Sequence, residues 1–452
     1  MIHRRKLLGG LAGLGPLAAG TGLMSTLASS GLAASSGDYK ATVVLFLNGG
    51  NDGHNTLIPV DAAYGDYAAA RGALTLPKSS LLPLAGTAAG HSLALHPALS
   101  PFVDLYNRGR MGWIANVGPL VQPATAAQVL AGAVEVPAFL LSHSDQTAIQ
   151  QGWQVKDDTS GWAGRALELL PTELQNPLSA VTTSVQRTLV TGRHSRVAYL
   201  TINGSRYWGT ADLAQPQSVA TQSINRMAQW EFANPYQAEY ARTFGAAVAD
   251  STLFTQALMK TETPAADFGS GDLADSLRTL AQLLPAFKAQ GLRRQVFLVQ
   301  WGRFDTHADQ LGNRATSQDT QLATVAKAVA GFDATVHAAG MDQDVVTLMM
   351  SDFGRTLRQG SGGGSEHGWG NHWFVLGGPV AGGTVVGSIP TLKLGGPDDG
   401  DANKNGRMVP TIATDQVGAT LMRWMGLPDI LQSEVFPNLA HFSQKTLPLL
   451  HA

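Results

Sequence analysis

The sequence predicts an α/β fold in which a doubly wound, mostly parallel sheet is flanked by helices. Four short, unbroken apolar runs rich in Val, Leu and Phe are typical of strands that are buried on both faces. They are residues 42–47, 295–299, 345–350 and 373–376. Segments with the apolar spacing of helices precede the second and third of these runs, which is the order of βαβ units.

The remaining elements are predicted from local patterns. Residues 273–290 and 318–339 repeat apolar side chains every three to four positions, as one face of a helix does. Residues 123–141 are interpreted as a loop or short helix that approaches a site, and residues 179–210 as a less regular insertion containing strands. Further helices are predicted over residues 98–108, 146–153, 161–170 and 414–426. One further strand is predicted over residues 111–117.

Composition limits the function classes. The chain has 452 residues, of which 44% are hydrophobic and 14% charged, so it can bury a large core. Its formal net charge of -2 gives no electrostatic reason to expect nucleic acid or an anionic membrane as a partner. The absence of cysteine excludes disulfides, thiolate metal ligands and a cysteine nucleophile.

The first 36 residues are typical of a bacterial export signal. Arg4 and Arg5 precede an uncharged stretch, residues 9–32, that is rich in Gly, Ala, Leu, Ser and Thr. The paired arginines predict a twin-arginine signal peptide over residues 1–36, with the translocase of that route as a partner. A membrane anchor is the alternative, since the stretch is long enough to span, but its many Gly and Ser residues make it poorly hydrophobic. We therefore expect one domain over residues 37–452, located in the periplasm or secreted, without a stable transmembrane anchor.

Polar residues of metal-binding type border all four apolar runs. Three clusters directly follow a predicted strand, and ligands of parallel sheets bind beyond the carboxyl ends of strands. The fourth cluster precedes its strand. Aspartate and histidine side chains gathered at one sheet edge predict a hard-cation or zinc site. In chain order, the residues concerned are Asp52, Asp305, His307, Asp352, Arg355, His367 and His372.

Several short motifs occur in an order that is similar to a known family. They comprise residues 46–53, 142–143, 304–307, 353–356 and 367–370, followed by Asp415-Gln416 ahead of a helix that contains Trp424. Together they resemble the bacterial DUF1501 family, which belongs with the alkaline phosphatase and sulfatase superfamily. The resemblance extends from about residue 40 to about residue 440. It implies an alkaline phosphatase-like core with a metal-assisted hydrolase site at the carboxyl edge of the sheet.

The resemblance also implies two divalent metal ions, with Zn, Ca, Mg and Mn all open as identities. Two such cations bind an anionic ester's oxygens and lower the pKa of a nucleophile. Asp52 and Asp352 would hold one ion. Asp305, His307 and His367 would hold the other. His372 would be a weaker additional ligand.

Structural alternatives stay open at these positions. Asp52 lies in a Gly- and Asn-rich segment that also suits a turn or a helix cap. An aspartate and a histidine separated by one residue, as in Asp305 and His307, are common by chance. Asp352 is also a possible cap with Arg355 as its ion-pair partner. Alternatively, Arg355 orients a carboxylate or binds the substrate anion, because its guanidinium matches phosphate and sulfate oxygens.

The predicted nucleophile lies just before a helix. In this superfamily a Ser, Thr or modified residue occupies a helix N-terminus, where amides and the helix dipole favour an anion. Ser142 is the closest match here, followed by Ser144, with His143 between them; a plain N-cap serine is the alternative. The chain departs from the family pattern at Leu141, where relatives have an arginine, and at Glu366, where they have an aspartate.

The function expected from these observations is an exported, metal-dependent hydrolase of phosphate or sulfate esters, with an anionic ester as its substrate. The alternative is a non-catalytic exported binding or assembly protein on the same fold. A serine hydrolase with a nucleophile elbow is a distant third, since no GxSxG sequence occurs near a strand end.

Overall fold

The computed structural model describes residues 38–152, 158–200 and 217–451. The predicted signal peptide, residues 1–36, lies outside the described residues. Within the described residues the strands are β1 (Lys40–Leu47), β2 (Leu57–Pro59), β3 (Leu82–Pro83), β4 (Leu93–Leu95), β5 (Met111–Gly118), β6 (Ala180–Thr182), β7 (Ala198–Tyr199), β8 (Arg294–Trp301), β9 (Val345–Ser351), β10 (Arg355–Gln359), β11 (Ser365–His367), β12 (Asn371–Leu376), β13 (Val385–Gly387) and β14 (Ile412–Ala413).

The helices of the described residues fall between these strands. They are α1 (Tyr64–Arg71), α2 (Ser100–Asn107), α3 (Ala126–Leu130), α4 (His143–Gln150), α5 (Trp162–Glu168), α6 (Val219–Ala228), α7 (Pro235–Met259), α8 (Asp272–Ala289), α9 (Gln318–Ala338), α10 (Thr414–Met425) and α11 (Gln432–Val435). None of the helices in the described ranges combines the length and the apolar character that crossing a membrane requires.

A nine-stranded sheet forms the centre of the molecule. Its strand order is β13-β5-β12-β9-β1-β8-β6-β7, with β14 also paired to β5. Strand β1 pairs in parallel with β8 on one side and with β9 on the other. Among the described strands of this sheet, β12 alone runs antiparallel to its neighbours, β5 and β9. The prediction of a mostly parallel sheet is therefore confirmed.

Helices cover the sheet on both faces. All residues of β9 and β12, and all but the first of β1, are buried, so side chains pointing to either face are shielded from water. One group of neighbouring helices contains α2, α7, α8 and α9, and another contains α5, α10 and α11. The order α8, β8, α9, β9 is the predicted βαβ order, and the apolar stripe of α8 packs on the sheet, with the rings of Phe287 and Phe297 stacked 6.2 Å apart.

The reversed direction of β12 explains why its polar cluster comes before the strand instead of after it. Asn371, the first residue of β12, pairs with Val117 near the carboxyl end of β5. The amino end of β12 therefore lies at the same sheet edge as the carboxyl ends of the parallel strands. The hairpin of β10 and β11, in which Arg355 pairs with His367, lies between β9 and β12 in the chain.

Some elements differ from the sequence-based expectations. Helix α4 begins at His143, three residues before the predicted start, because Ser142 caps it. Residue 153, at the end of that predicted helix, and residues 201–210 of the predicted insertion lie outside the described residues. Helices α6 and α7 were not predicted, although Asn234 caps α7 and Pro235 occupies its first turn, both of which are start signals.

Candidate metal site at the carboxyl edge of the sheet

Four predicted site residues meet in one group at this edge: His143, Asp305, His307 and His367, hereafter the His/Asp cluster. Oδ1 of Asp305 lies at its centre, 3.3 Å from Nε2 of His143, 2.9 Å from Nε2 of His307 and 3.2 Å from Nε2 of His367. The Nε2 atoms of His307 and His367 are 3.0 Å apart. Ligand-type atoms of His143, Asp305 and His367 all lie within 4.8 Å of one another.

The loop after β1 supports the loop that bears Asp305. The amide of Phe304 donates to the carbonyl of Asn48 at 2.8 Å, and the ring of Phe304 is buried. Gly49 adopts a φ of 105°, and a Cβ at this position would lie only 2.4 Å from the backbone nitrogen of Asp305. Any other residue would therefore push Asp305 away, so this glycine permits the close approach of the two loops.

His143 is held by Asp352, the residue that follows β9. Its Nδ1 lies 2.8 Å from Oδ2 of Asp352. The two carboxylate oxygens of Asp352 also accept from the backbone amide of Gly49, each at 3.1 Å. The hydrogen bond with Asp352 raises the pKa of His143 and outweighs the effect of burial. Asp352 therefore contacts the cluster through His143.

His367 and His307 also have an oxygen acceptor at Nδ1. Nδ1 of His367 is 2.6 Å from the carbonyl oxygen of Leu141, a residue that adopts a left-handed φ of 77°. Nδ1 of His307 is 2.6 Å from Oε2 of Glu366. Burial lowers the pKa of His367. Both rings are thus fixed at the nitrogen that points away from Asp305.

Arg355 orients Asp305. Its side chain is completely buried, and Nη1 donates to Oδ1 of Asp305 at 2.9 Å. Nη2 donates to the carbonyl oxygen of Ser365 at 2.5 Å. Burial alone would raise the pKa of Asp305, but the hydrogen bond and charge of Arg355 outweigh it and lower that pKa. Among the interpretations considered for Arg355, the observed contact agrees with the one in which it orients a carboxylate, and that carboxylate is Asp305.

Asp52 lies outside the His/Asp cluster in a buried ion pair. Its carboxylate contacts the guanidinium of Arg71, and neither side chain is exposed. Oδ2 accepts from Nε2 of Gln310 at 2.6 Å, while Oδ1 accepts from the amide of His54 at 3.0 Å and caps a short 3-10 helix, Gly53–Asn55. Burial would raise the pKa of Asp52, but the charge of Arg71 and these hydrogen bonds lower it. The sequence offered no signal for Arg71 or Gln310 as partners.

His372 is also separate from the cluster. It lies buried in β12, where Nδ1 accepts from the backbone amide of Asn116 at 3.0 Å. Its ring meets that of His54 edge to face, with the centroids 6.0 Å apart. Burial lowers the pKa of His372 to about 3 and that of His54 to about 4, so both rings are neutral at physiological pH.

Ser142 caps helix α4. Its hydroxyl donates to Oδ2 of Asp145 and accepts from the amide of that residue at 3.5 Å. Oγ of Ser144 lies 3.2 Å from Oγ of Ser142. The capping interpretation therefore describes the observed contacts, and Ser142 directly precedes His143 of the cluster in the chain.

The residues of the cluster fit a divalent metal ion. Nε2 of His143 is buried and lacks a hydrogen-bond partner, although Oδ1 of Asp305 is only 3.3 Å away. A buried polar atom without a partner requires an explanation, and an ion between this nitrogen and the carboxylate provides one. Imidazole and carboxylate donors are those that zinc and related metals use in proteins.

The fold and the site together define a mixed α/β protein with a large, mostly parallel sheet and a His/Asp cluster at the carboxyl edge of that sheet. Residues 39–400 match the family described as "Protein of unknown function (DUF1501)". The chain belongs to this family, which confirms the resemblance seen in its motifs.

Solved structures that are similar to this chain include a hydrolase, a sulfatase and a synthase. The phosphonate monoester hydrolase SpPMH from Silicibacter pomeroyi is 11% identical, with a TM-score of 0.32, covering 86% of this chain and 74% of that one. The PsFucS1 sulfatase from Pseudoalteromonas sp. is 11% identical, with a TM-score of 0.32 and coverages of 82% and 68%. The lipoteichoic acid synthase LtaP from Listeria monocytogenes is 8% identical, with a TM-score of 0.33 and coverages of 86% and 72%. No curated protein matches the chain.

Proposed function

We propose that this protein is a metal-dependent hydrolase of phosphate or sulfate esters that is exported by the twin-arginine route to the periplasm or the exterior. The observation that supports this most directly is the convergence of three histidines on one oxygen of Asp305. The side chains of His307 and Asp305 are 40% and 42% exposed. An ester in solution can therefore reach the cluster.

His143, Asp305 and His367 would hold the metal ion, with His307 as a fourth donor. When bound, such an ion supplies Lewis-acid stabilisation of an ester oxygen and lowers the pKa of the attacking oxygen. The protein's own contribution is orientation. Asp352 fixes the ring of His143, and Arg355 fixes the carboxylate of Asp305.

The attacking oxygen belongs either to Ser142 or to water. Ser142 supports the first possibility because it sits at the N-terminus of α4, where backbone amides and the helix dipole favour a developing anion. Its hydroxyl already donates to Asp145, which provides a carboxylate that can accept the proton when the hydroxyl attacks. If the attacking oxygen belongs to water instead, Ser142 keeps its role as the N-cap of α4.

The test is turnover of aryl phosphate and aryl sulfate esters by purified protein, measured after chelation and after addition of Zn²⁺, Mn²⁺, Mg²⁺ or Ca²⁺. Asp305→Asn deletes the charge at the centre of the cluster, so we expect turnover to fall by about a hundredfold or more. Asp309→Asn is the matched control. Asp309 is exposed in the same loop, pairs only with the exposed Arg314 in the ion pairs seen there, and has a left-handed φ of 48° that asparagine tolerates.

Ser142→Ala separates the two nucleophiles. Loss of turnover with metal retained indicates a serine nucleophile, and retained turnover indicates water. If metal-loaded protein hydrolyses none of these esters and Asp305→Asn changes nothing, the hydrolase proposal is wrong, and a non-catalytic binding or assembly role on the same fold becomes the better explanation.

A further inference from the structure

We infer that the His/Asp cluster binds a single ion of the zinc class, and that Asp352 and Glu366 orient its histidines from outside instead of binding the metal. This inference rests on the proposed metal dependence and adds the number of ions, their chemical class and the roles of the two acidic residues. It revises the sequence-based expectation of two ions.

The hydrogen bonds at Nδ1 determine which nitrogen of each ring is free. A carbonyl oxygen can only accept, so the 2.6 Å contact of His367 with Leu141 places a proton on Nδ1 of His367. Nδ1 of His307 faces a carboxylate oxygen of Glu366 at 2.6 Å, and Nδ1 of His143 faces one of Asp352 at 2.8 Å. In the neutral form, each ring therefore presents an unprotonated Nε2.

These three nitrogens and Oδ1 of Asp305 are all acceptors, yet they touch one another. The contacts with Oδ1 are 2.9 to 3.3 Å long, and Nε2 of His307 is 3.0 Å from Nε2 of His367. A proton on one histidine satisfies only one such contact, whereas one cation satisfies the three mutually close donors of His143, Asp305 and His367, with His307 beside them. Ligands bound at zinc distances to one ion lie about 3.3 Å from each other. The contacts of Oδ1 of Asp305 with the three histidines, and that of His307 with His367, are close to this value.

The donor set determines the class of ion. Three imidazole nitrogens and one carboxylate oxygen suit Zn²⁺ and its transition-metal neighbours. Calcium and magnesium prefer oxygen ligands, and the cluster offers only the carboxylate of Asp305 as a side-chain oxygen. The structure therefore favours a nitrogen-rich site for one ion of the zinc class.

The aspartates expected to hold a second ion already have partners. The buried carboxylate of Asp52 contacts Arg71, Gln310 and the amide of His54. A cation placed there would lie beside a buried guanidinium, which is a repulsive arrangement of like charges. Asp352 is occupied by the amide of Gly49 and by His143. A second ion at Asp352 would therefore compete with the contacts that hold His143 and Gly49.

Asp352 and Glu366 instead contact the histidines at Nδ1, the ring nitrogen that faces away from the proposed ion. Metal-binding histidines usually donate their second nitrogen to a carboxylate or a carbonyl, which fixes the ring and increases its basicity. Each histidine of the cluster has one such acceptor: Asp352 for His143, Glu366 for His307 and the Leu141 carbonyl for His367. Oε2 of Glu366 reaches Nδ1 of His307 at 2.6 Å.

The test uses the purified protein, stripped with a chelator and reloaded separately with Zn²⁺, Co²⁺, Mg²⁺ and Ca²⁺. We expect one equivalent of Zn²⁺ or Co²⁺ per chain after desalting, no retained Mg²⁺ or Ca²⁺, and a Co²⁺ absorption spectrum typical of four-coordinate sites. Asp305→Asn should abolish retention. Asp352→Asn and Glu366→Gln should keep one equivalent and the spectrum, while weakening Zn²⁺ affinity about 10–100-fold.

Asp52→Asn should leave the metal count and the Co²⁺ spectrum unchanged. If this variant does not fold, Asp52→Asn combined with Arg71→Met removes both buried charges and serves in its place. Two equivalents of metal per chain, selective retention of Mg²⁺ or Ca²⁺, or loss of metal from Asp352→Asn as complete as that from Asp305→Asn would overturn the inference. Bound zinc without ester turnover would defeat the proposed function and leave the inference standing, because the metal count does not depend on activity.

Discussion

The guanidinium of Arg355 donates to Oδ1 of Asp305 at 2.9 Å, and this is the same oxygen on which the three histidines of the cluster converge. The contact joins the β10–β11 hairpin to the loop that follows β8. Arg355 is completely buried, whereas Asp305 is 42% exposed. One end of the ion pair is therefore rigidly packed, and the other is accessible to solvent at the candidate site.

Replacing Arg355 by methionine should weaken the metal site and the fold together. The change removes the donors to Asp305 and Ser365, so Asp305 is no longer oriented. We expect unfolding free energy to fall by about 2 kcal/mol, below the cost of breaking a fully buried pair because Asp305 is partly exposed. Zn²⁺ affinity should fall about tenfold or more. Urea unfolding and zinc titration measure the two effects.

Arg358→Met is the control for this change. Arg358 lies in the same strand, and its observed side-chain contact is an exposed hydrogen bond to the carbonyl of Lys404. We expect a stability change within about 0.5 kcal/mol and unchanged zinc affinity. Equal effects of the two substitutions would show that Arg355 does not orient the site.

The Asp52–Arg71 pair should contribute to folding and not to metal binding. Both side chains are fully buried, so Asp52→Asn leaves the charge of Arg71 without its partner. We expect Asp52→Asn and Arg71→Met each to reduce unfolding free energy by about 3–5 kcal/mol. The double variant should lose much less than the sum, because it leaves no unpaired charge. A double-mutant cycle in urea measures the coupling, and additive losses would contradict the pairing.

Asp415 should make the protein less stable as pH rises from about 4 to about 7. It is buried in the first turn of α10, its Oδ2 has no hydrogen-bond partner, and burial raises its pKa to about 7 despite the opposing charge of Arg165. A carboxyl whose pKa is higher in the folded state binds its proton more tightly when folded. Its contribution to stability is therefore complete below about pH 4 and decreases as pH rises to about 7.

Asp415→Asn removes this titration. Between pH 4 and pH 8 the stability of the variant relative to the parent protein should improve by roughly 4 kcal/mol, the equivalent of the pKa shift. Urea unfolding at several pH values measures the difference. Asp104→Asn, at a side chain that is 67% exposed, is the control and should show little pH-dependent difference. A constant difference for Asp415→Asn across this pH range would show that Asp415 does not titrate near neutrality.

Export should depend on the paired arginines at the N-terminus. Replacing Arg4 and Arg5 by lysine keeps the charge but removes the twin-arginine signal. We expect precursor to accumulate in the cytoplasm, measured by cell fractionation and immunoblotting. Lys6→Arg leaves the pair intact and serves as the control. Unchanged export of the double variant would rule out this route.

Local pattern was sufficient for the elements nearest the centre of the sheet. Apolar runs without interruption predicted β1, β8, β9 and β12, since a strand covered on both faces requires apolar side chains at every position. The helical stripes of α8 and α9 were equally clear. Helices α6 and α7 were missed. In α7, exposed aromatic residues interrupt the apolar stripe: Tyr236 and Tyr240 are 85% and 66% exposed.

The sequence by itself determined the fold class, the family and the set of candidate site residues, because burial pattern and short motifs are properties of neighbouring positions in the chain. Only the tertiary structure decided which of those residues meet. It placed His143 beside Asp305 and beside Asp352, and it paired Asp52 with Arg71. The physical reason is that these contacts join segments far apart in the chain. Strand direction, the conformation of the loops and competition between partners at the shared sheet edge determine these contacts. No local periodicity of the sequence encodes them.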